Sequence, residues 1–327
     1  MPISRRAILA TLAATPFAAV MSRPAFAAYP DRPVRLIVPF AAGGNADLVG
    51  RLMGEGISKA LGQPVVVENR TGAGGSLGAA AVATSAPDGY TLFTGSNGPL
   101  TVNPFVQAKL SYDPLKDFVA IGLANLAPHA IVLHNSVKAK NVAELVALSK
   151  QQQITLATSG VGSATHLTLA RFNAATGANL VHVPYRGGGA LIPDVLAGNV
   201  SGAMTEMSTL LEHHGKGNVR ILAVAWTKRS ARAPDVPTMI ESGVKDFTAA
   251  SYVGLLAPAK TPAGVVAALE KALAETLADK GTQDKFVASG AELVPLDLQN
   301  SKGFTAYIKK DYEESKEAVR IAGIKPQ

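Results

Sequence analysis

The chain has no cysteine, a single tryptophan, few aromatic residues (6%) and few charged ones (17%). Without cysteine there is no thiol catalysis, no iron–sulfur cluster, no Cys-based zinc site and no disulfide framework. Beyond the N-terminal segment no stretch approaches the ~20 apolar residues that cross a bilayer. Positive charge is in slight excess, with a formal balance of +7, but the lysines and arginines are scattered. No run has the density of a nucleic-acid-binding arm, and the charge supports no more than a weak field favouring anions. The glycine-rich turns contain neither G-x-G-x-x-G nor a Walker Lys-Ser/Thr, so no dinucleotide or nucleotide cofactor is expected. His213-His214 is a poor metal pair, because adjacent residues on a helix diverge, and a solvated helix end is the simpler reading. No metal is expected.

What is present is a hydrophobic fraction of 47% in 327 residues, enough for two lobes of ordinary size. Residues 1–27 read as a leader peptide. Arg5 and Arg6 form a positive start, 7–21 is an Ala-rich apolar stretch, and Ala25-Phe26-Ala27 is a small-x-small cleavage site. The paired arginines fit either the twin-arginine or the general secretory route. An exported protein in the periplasm is implied, with a monomer as the default state.

The remainder alternates strand and helix. Apolar strands at 34–40, 64–68 and 90–94 are separated by helices over 46–57 and 77–84. An extended region, 118–133, leads to a second set: helix 142–150, strand 154–158, helix 164–175, strand 180–184, helix 190–196, and strands near 200–205 and 219–225. A second extended segment, 249–257, leads back. Thr261-Pro262 marks a helix start with Thr as cap, before helices over 263–277 and 302–319. The fold class is therefore α/β in two lobes, 28–125 with 250–327 and 126–249.

Three turns share one plan, in which a strand ends, small residues follow and a helix begins. They lie at 40–45, 69–76 and 159–165. Such turns expose N–H groups at a helix N-terminus, where an anion is favoured. Ser159, Ser163 and Thr165 add hydroxyls, and His166 falls in the first turn of a helix. Each turn taken alone is also what a plain connection requires. Arg186 could meet a carboxylate or form a surface ion pair. Gly74-Gly75-Ser76-Leu77-Gly78 matches G-x-S-x-G literally, but several residues separate Ser76 from the preceding strand, unlike a nucleophile elbow. A periplasmic hydrolase using Ser76 is the enzymatic alternative.

A set of collinear blocks resembles the Bug family, the periplasmic receptors of tripartite tricarboxylate transport systems. The blocks include Val38-Pro39-Phe40-Ala41-Ala42-Gly43-Gly44 with Asp47, Val67-Glu68-Asn69-Arg70 with Gly72-Ala73-Gly74-Gly75, and Pro87-Asp88-Gly89-Tyr90. Further on stand Val183-Pro184-Tyr185-Arg186-Gly187 and Pro234-Asp235-Val236-Pro237-Thr238. The resemblance implies a type II-like Venus-flytrap fold that closes on a small carboxylate and docks on an integral-membrane permease. A ligand sensor of the same fold is the alternative it leaves open. Carried over, Phe40, Ala41, Gly43, Gly44 and Asn45 lie on one side of the cleft. Ser159, Gly160, Ser163, Thr165 and His166 lie on the other, with Glu206, Ser251 and Tyr252 near the crossovers. Ala42 departs from the Pro usual before the paired glycines, and Ser159-Gly160-Val161-Gly162 from the commoner Gly-rich form. Ligand identity therefore does not carry over.

Overall fold

The computed structural model describes residues 29–326; the leader reading falls outside them. In chain order the elements begin β1 (Val34–Val38), α1 (Asn45–Leu61), β2 (Val65–Asn69), α2 (Ser76–Ala83), β3 (Thr91–Ser96) and α3 (Asn103–Val106). Then come β4 (Phe118–His134), α4 (Val142–Ser149), β5 (Ile154–Thr158), α5 (Ala164–Thr176), β6 (Leu180–Pro184), α6 (Gly188–Ala197) and β7 (Gly202–Glu206). The chain ends with α7 (Met207–Gly215), β8 (Val219–Val224), β9 (Ala250–Pro258), α8 (Ala263–Ala278), α9 (Lys280–Ala288) and α10 (Ser301–Ile321).

The strands form two sheets joined through β4. The first runs β2-β1-β3-β9-β4 and the second β8-β4-β7-β5-β6. β1, β2 and β3 are mutually parallel, as are β6, β5 and β7; β9 and β4 run antiparallel to their neighbours. β4 pairs with β9 from Phe118 to Pro128, then with β7 from His129 onward. At that changeover His129 N–H donates to the Ala249 carbonyl, one residue before β9 begins. The two long extended segments seen in the sequence are thus neighbouring strands that cross between the sheets side by side.

Both faces of each sheet are covered, which explains why the parallel strands are apolar runs rather than alternating ones. In the first sheet Leu36 and Val38 face α1 and α8, while Ile37 and Phe93 face Tyr252 and Phe304. In the second, Leu156 packs with Phe172 and Leu145, and Ala157 with Leu191 and Val195. On α1 the residues Val49, Leu52, Met53 and Ile57 recur at helical spacing and are buried. Each buried aliphatic side chain contributes about 1.5–3 kcal/mol.

The structure departs from the sequence reading at one cap and at three helices, α3, α7 and α9, which that reading did not contain. Thr261 is not a helix cap: its hydroxyl donates to the Pro258 carbonyl, and the helix starts at Ala263 after Pro262. Helix α7 was missed because it starts directly at the end of β7, with no turn residues to announce it.

Candidate functional site

Five helical starts converge on one cavity between the sheets. Its wall includes Gly44 and Asn45 at the start of α1, Asn97 and Gly98 at a wide turn after β3, and Ser163 and Ala164 at the start of α5. Gly188 at the start of α6 and Glu206 ahead of α7 complete the set. The first N–H groups of a helix have no intrahelical partner, and its dipole is positive there. Only α5 of these five has a side-chain cap, Ser163 Oγ accepting from His166 N–H. Among the described residues lining the cavity, Glu206 alone is ionisable. The remaining polar groups are hydroxyls, amides and main chain, a donor set suited to a singly charged oxyanion.

The two sides are in contact. Ala41 N–H donates to the Arg186 carbonyl at 3.0 Å, and Ser208 Oγ donates to Asn45 Oδ1 at 3.2 Å. A Cβ on Gly189 would collide with the Ala42 carbonyl oxygen, so main chain meets main chain across the cleft. The cavity left open to the centre of a water molecule is about 20 Å³, little more than one water requires. This is a closed arrangement.

The β1–α1 loop is held by Asp47. Its carboxylate accepts from Gly43 N–H at 3.0 Å, from Arg51 Nε at 3.0 Å and from Asn69 Nδ2 at 2.9 Å. Asn69 Nδ2 also donates to the Phe40 carbonyl at 2.9 Å, tying both ends of the loop to β2. Burial alone would raise the Asp47 pKa, but the Arg51, Gly43 and Asn69 hydrogen bonds together hold it below the usual carboxylate range.

The β5–α5 loop is braced from within. Ser163 Oγ donates to the Gly160 carbonyl at 2.7 Å, and Thr165 Oγ1 accepts from Ser159 N–H at 3.0 Å. Gly160 N–H donates to Thr158 Oγ1, and Gly162 N–H to His166 Nδ1. The His166 ring stacks on His182 with centroids 4.2 Å apart, and His182 Nε2 lies 2.7 Å from Thr158 Oγ1. Accepting a backbone N–H requires His166 Nδ1 to be bare. Burial pushes His182 down to about 4, with the neighbouring His166 adding to it, and burial lowers His166 as well.

Of the residues singled out in the sequence, Phe40, Gly44, Asn45, Ser159, Ser163, Glu206 and Ser251 meet on the cavity wall. Ala41, Gly43, Gly160, Thr165 and His166 do not line it and serve the loop bonds just described. Tyr252 points the other way, fully buried with Phe304 and Tyr307 in edge-to-face contact. Successive strand residues face opposite sides, so with Ser251 and Val253 on the cavity Tyr252 cannot be there. Sequence reasoning missed Ser96, Asn97, Gly98 and Gly188. Ser96 Oγ is buried without a partner, and Asn97 Oδ1 accepts from Tyr252 N–H at 2.8 Å. Ser96-Asn97-Gly98 ends a strand in a run of small residues, the same plan as the other three turns. Ser76 lies outside this cavity; its hydroxyl accepts from Asn103 Nδ2 at 2.7 Å and neighbours Tyr112, and no imidazole is among its partners.

Comparison with known proteins agrees with this geometry. The model for the tripartite tricarboxylate transporter family receptor matches residues 49–322. The protein BugT of Bordetella pertussis is 36% identical over 281 residues, covering 85% of this chain and 86% of the relative. The solved periplasmic binding protein BugD superposes with a TM-score of 0.88 at 35% identity, over 91% of this chain and all of the other. An R. palustris protein solved with adipate superposes with a TM-score of 0.87 at 29% identity, over 91% of this chain and 100% of the other.

Proposed function

The chain belongs to the tripartite tricarboxylate transporter receptor family, and on that premise we propose that it captures a small carboxylate between its lobes in the periplasm and hands it to a membrane permease. The observation that carries this reading is the convergence of uncapped helix starts on a closed cavity whose lining has donors but no lysine or arginine among the described residues. A carboxylate exchanges its hydration shell there for main-chain N–H groups and hydroxyls. Ser96 Oγ, buried and unpartnered, is a ready donor. The adipate held by one neighbour is a ligand of the same class.

Entry requires the lobes to part. The hinge is the pair of strands crossing side by side at Pro128-His129 and Ala249-Ala250. Ligand binding selects the closed form because only there do both sets of helix starts reach it. The closed lobes form the face that a permease reads, and the receptor works as a monomer.

Thermal-shift screening against monocarboxylates, dicarboxylates and aromatic acids tests the reading. Stabilisation by at least one class is expected, on the order of 2.7 kcal/mol at a ligand concentration about 100 times Kd. A clear shift with sugars or amines and none with any carboxylate would refute it.

A further inference from the structure

A series of hydrogen bonds runs from α5 to the cavity wall. Thr168 Oγ1 lies 3.0 Å from the Ala164 carbonyl and 2.8 Å from His129 Nδ1. His129 Nε2 lies 2.8 Å from Ser251 Oγ, which is 2.6 Å from Glu206 Oε1. All four side chains belong to buried residues, His129 at 1% exposure and Glu206 at 8%.

Each of these four links needs one proton. Two hydroxyls, a neutral imidazole and a carboxylate together supply three. The Ala164 carbonyl cannot donate, so Thr168 must, and His129 Nδ1 must then donate to Thr168. At the other end Ser251 has one proton for two links. The series closes only with a further proton, carried by His129 as a second N–H or by Glu206 as a carboxylic acid. In either case His129 Nδ1 bears hydrogen.

Building on the carboxylate reading, we propose that His129 and Glu206 share one proton through Ser251, and that this proton decides whether the cleft accepts a second carboxylate beside Glu206. Glu206 is on the cavity wall with its Oε2 near Gly188. Once the proton is lost, a ligand carboxylate there meets a like charge in a dry site, whereas an amide or hydroxyl donates to it. His129 is a positioning residue acting through Ser251, and Glu206 is the specificity-determining one.

The charged surroundings are few. Arg171 on α5 faces His129 and donates to the Thr248 carbonyl; Tyr307, Asp311, Glu313, Glu314 and Glu317 on α10 line the groove behind it. Burial, and then the Arg171 charge, push His129 down to about 3.

Protein labelled with ¹⁵N-histidine gives the first test. The His129 ring is expected to show Nδ1–H; a neutral ring with Nε2–H and bare Nδ1 would overturn the shared proton. The second test is the dissociation constants of succinate, glutarate and adipate, each beside its monoamide, from about pH 5.5 to about pH 8. The diacids should weaken with rising pH relative to their amides, by up to about tenfold per pH unit once the proton is lost. In Glu206→Gln that divergence should vanish. Parallel curves for acid and amide in the wild type would overturn the specificity role even with Nδ1–H in place. If none of these acids binds, the carboxylate reading and the specificity role built on it both fall, while a bare Nδ1 would still overturn the shared proton.

Discussion

His166 and His182 stack beneath the β5–α5 loop, and the structure holds both neutral. With His182 pushed down to about 4 from its ordinary 6.5, the unfolded chain binds more protons than the native one between those values. The stability it contributes above that window is lost as pH falls through it. Asp311 acts in the opposite sense. Burial pushes it up to about 6, so its contribution is full below the ordinary carboxylate range and declines as pH rises through that value. Comparing wild type with His182→Gln by urea denaturation isolates the imidazole. Wild type should lose about 2 kcal/mol more than the variant between about pH 7 and about pH 4.5. Equal losses would remove the stacked pair as the acid-sensitive element. The donor inventory at this scale was partly legible. Ser159 and Ser163 stood out as polar residues beside small ones and Glu206 came from the family resemblance, whereas Ser96 did not stand out, because nothing in a single sequence marks a hydroxyl left without a partner.

Secondary-structure elements aim the site, and the β1–α1 loop illustrates how. Gly44 supplies no side-chain cap, so the loop depends on Asp47 reaching back to Gly43 N–H and across to Asn69. Replacing Asp47 with Ala removes hydrogen bonds from the Gly43 N–H and from the half-buried Asn69 amide, which keeps its bond to the Phe40 carbonyl, at a cost of about 1 kcal/mol. Because the Asp47 carboxyl is held low, its contribution is present above the ordinary carboxylate range and disappears only as pH falls through the depressed folded value. Asp47→Ala should therefore be less stable than wild type at neutral pH, with the gap narrowing in strong acid. Thermal melts across pH check this, and a gap that stays constant into strong acid would count against the carboxylate. The elements themselves were largely readable, since buried parallel strands are uninterrupted apolar runs. What periodicity could not supply was orientation within β9, where Ser251 and Tyr252 both drew attention although a strand can present only one of them to the cleft.

For the whole molecule the question is whether closure can be blocked without disturbing either half. Gly189 lies in the first turn of α6, with a backbone that alanine accepts, and the nearest obstructions to a Cβ there are the Ala42 carbonyl and the Gly44 nitrogen, both across the cleft. Gly189→Ala should leave the melting temperature of the free protein within about 0.5 kcal/mol equivalent of wild type. It should weaken ligand binding by about tenfold or more, since the bound form proposed above is the closed one. Small-angle scattering should show wild type contracting on binding and the variant contracting less. Full contraction of the variant with unchanged affinity would mean that the main-chain contact is not what limits closure. The two-lobe plan was legible from the pair of long extended segments, but their lying side by side was not, because pairing between Pro128 and Ala250 spans more than a third of the described chain. The proposed grip, drawn largely from main-chain N–H groups, has a practical consequence. Peptide N–H groups persist under every substitution except proline, so the hold on an anion is insulated from drift in the surrounding side chains. Redirecting the protein toward a new acid, as in building a biosensor, then becomes a search over a few wall positions, with Ser96, Glu206 and Ser251 first among them.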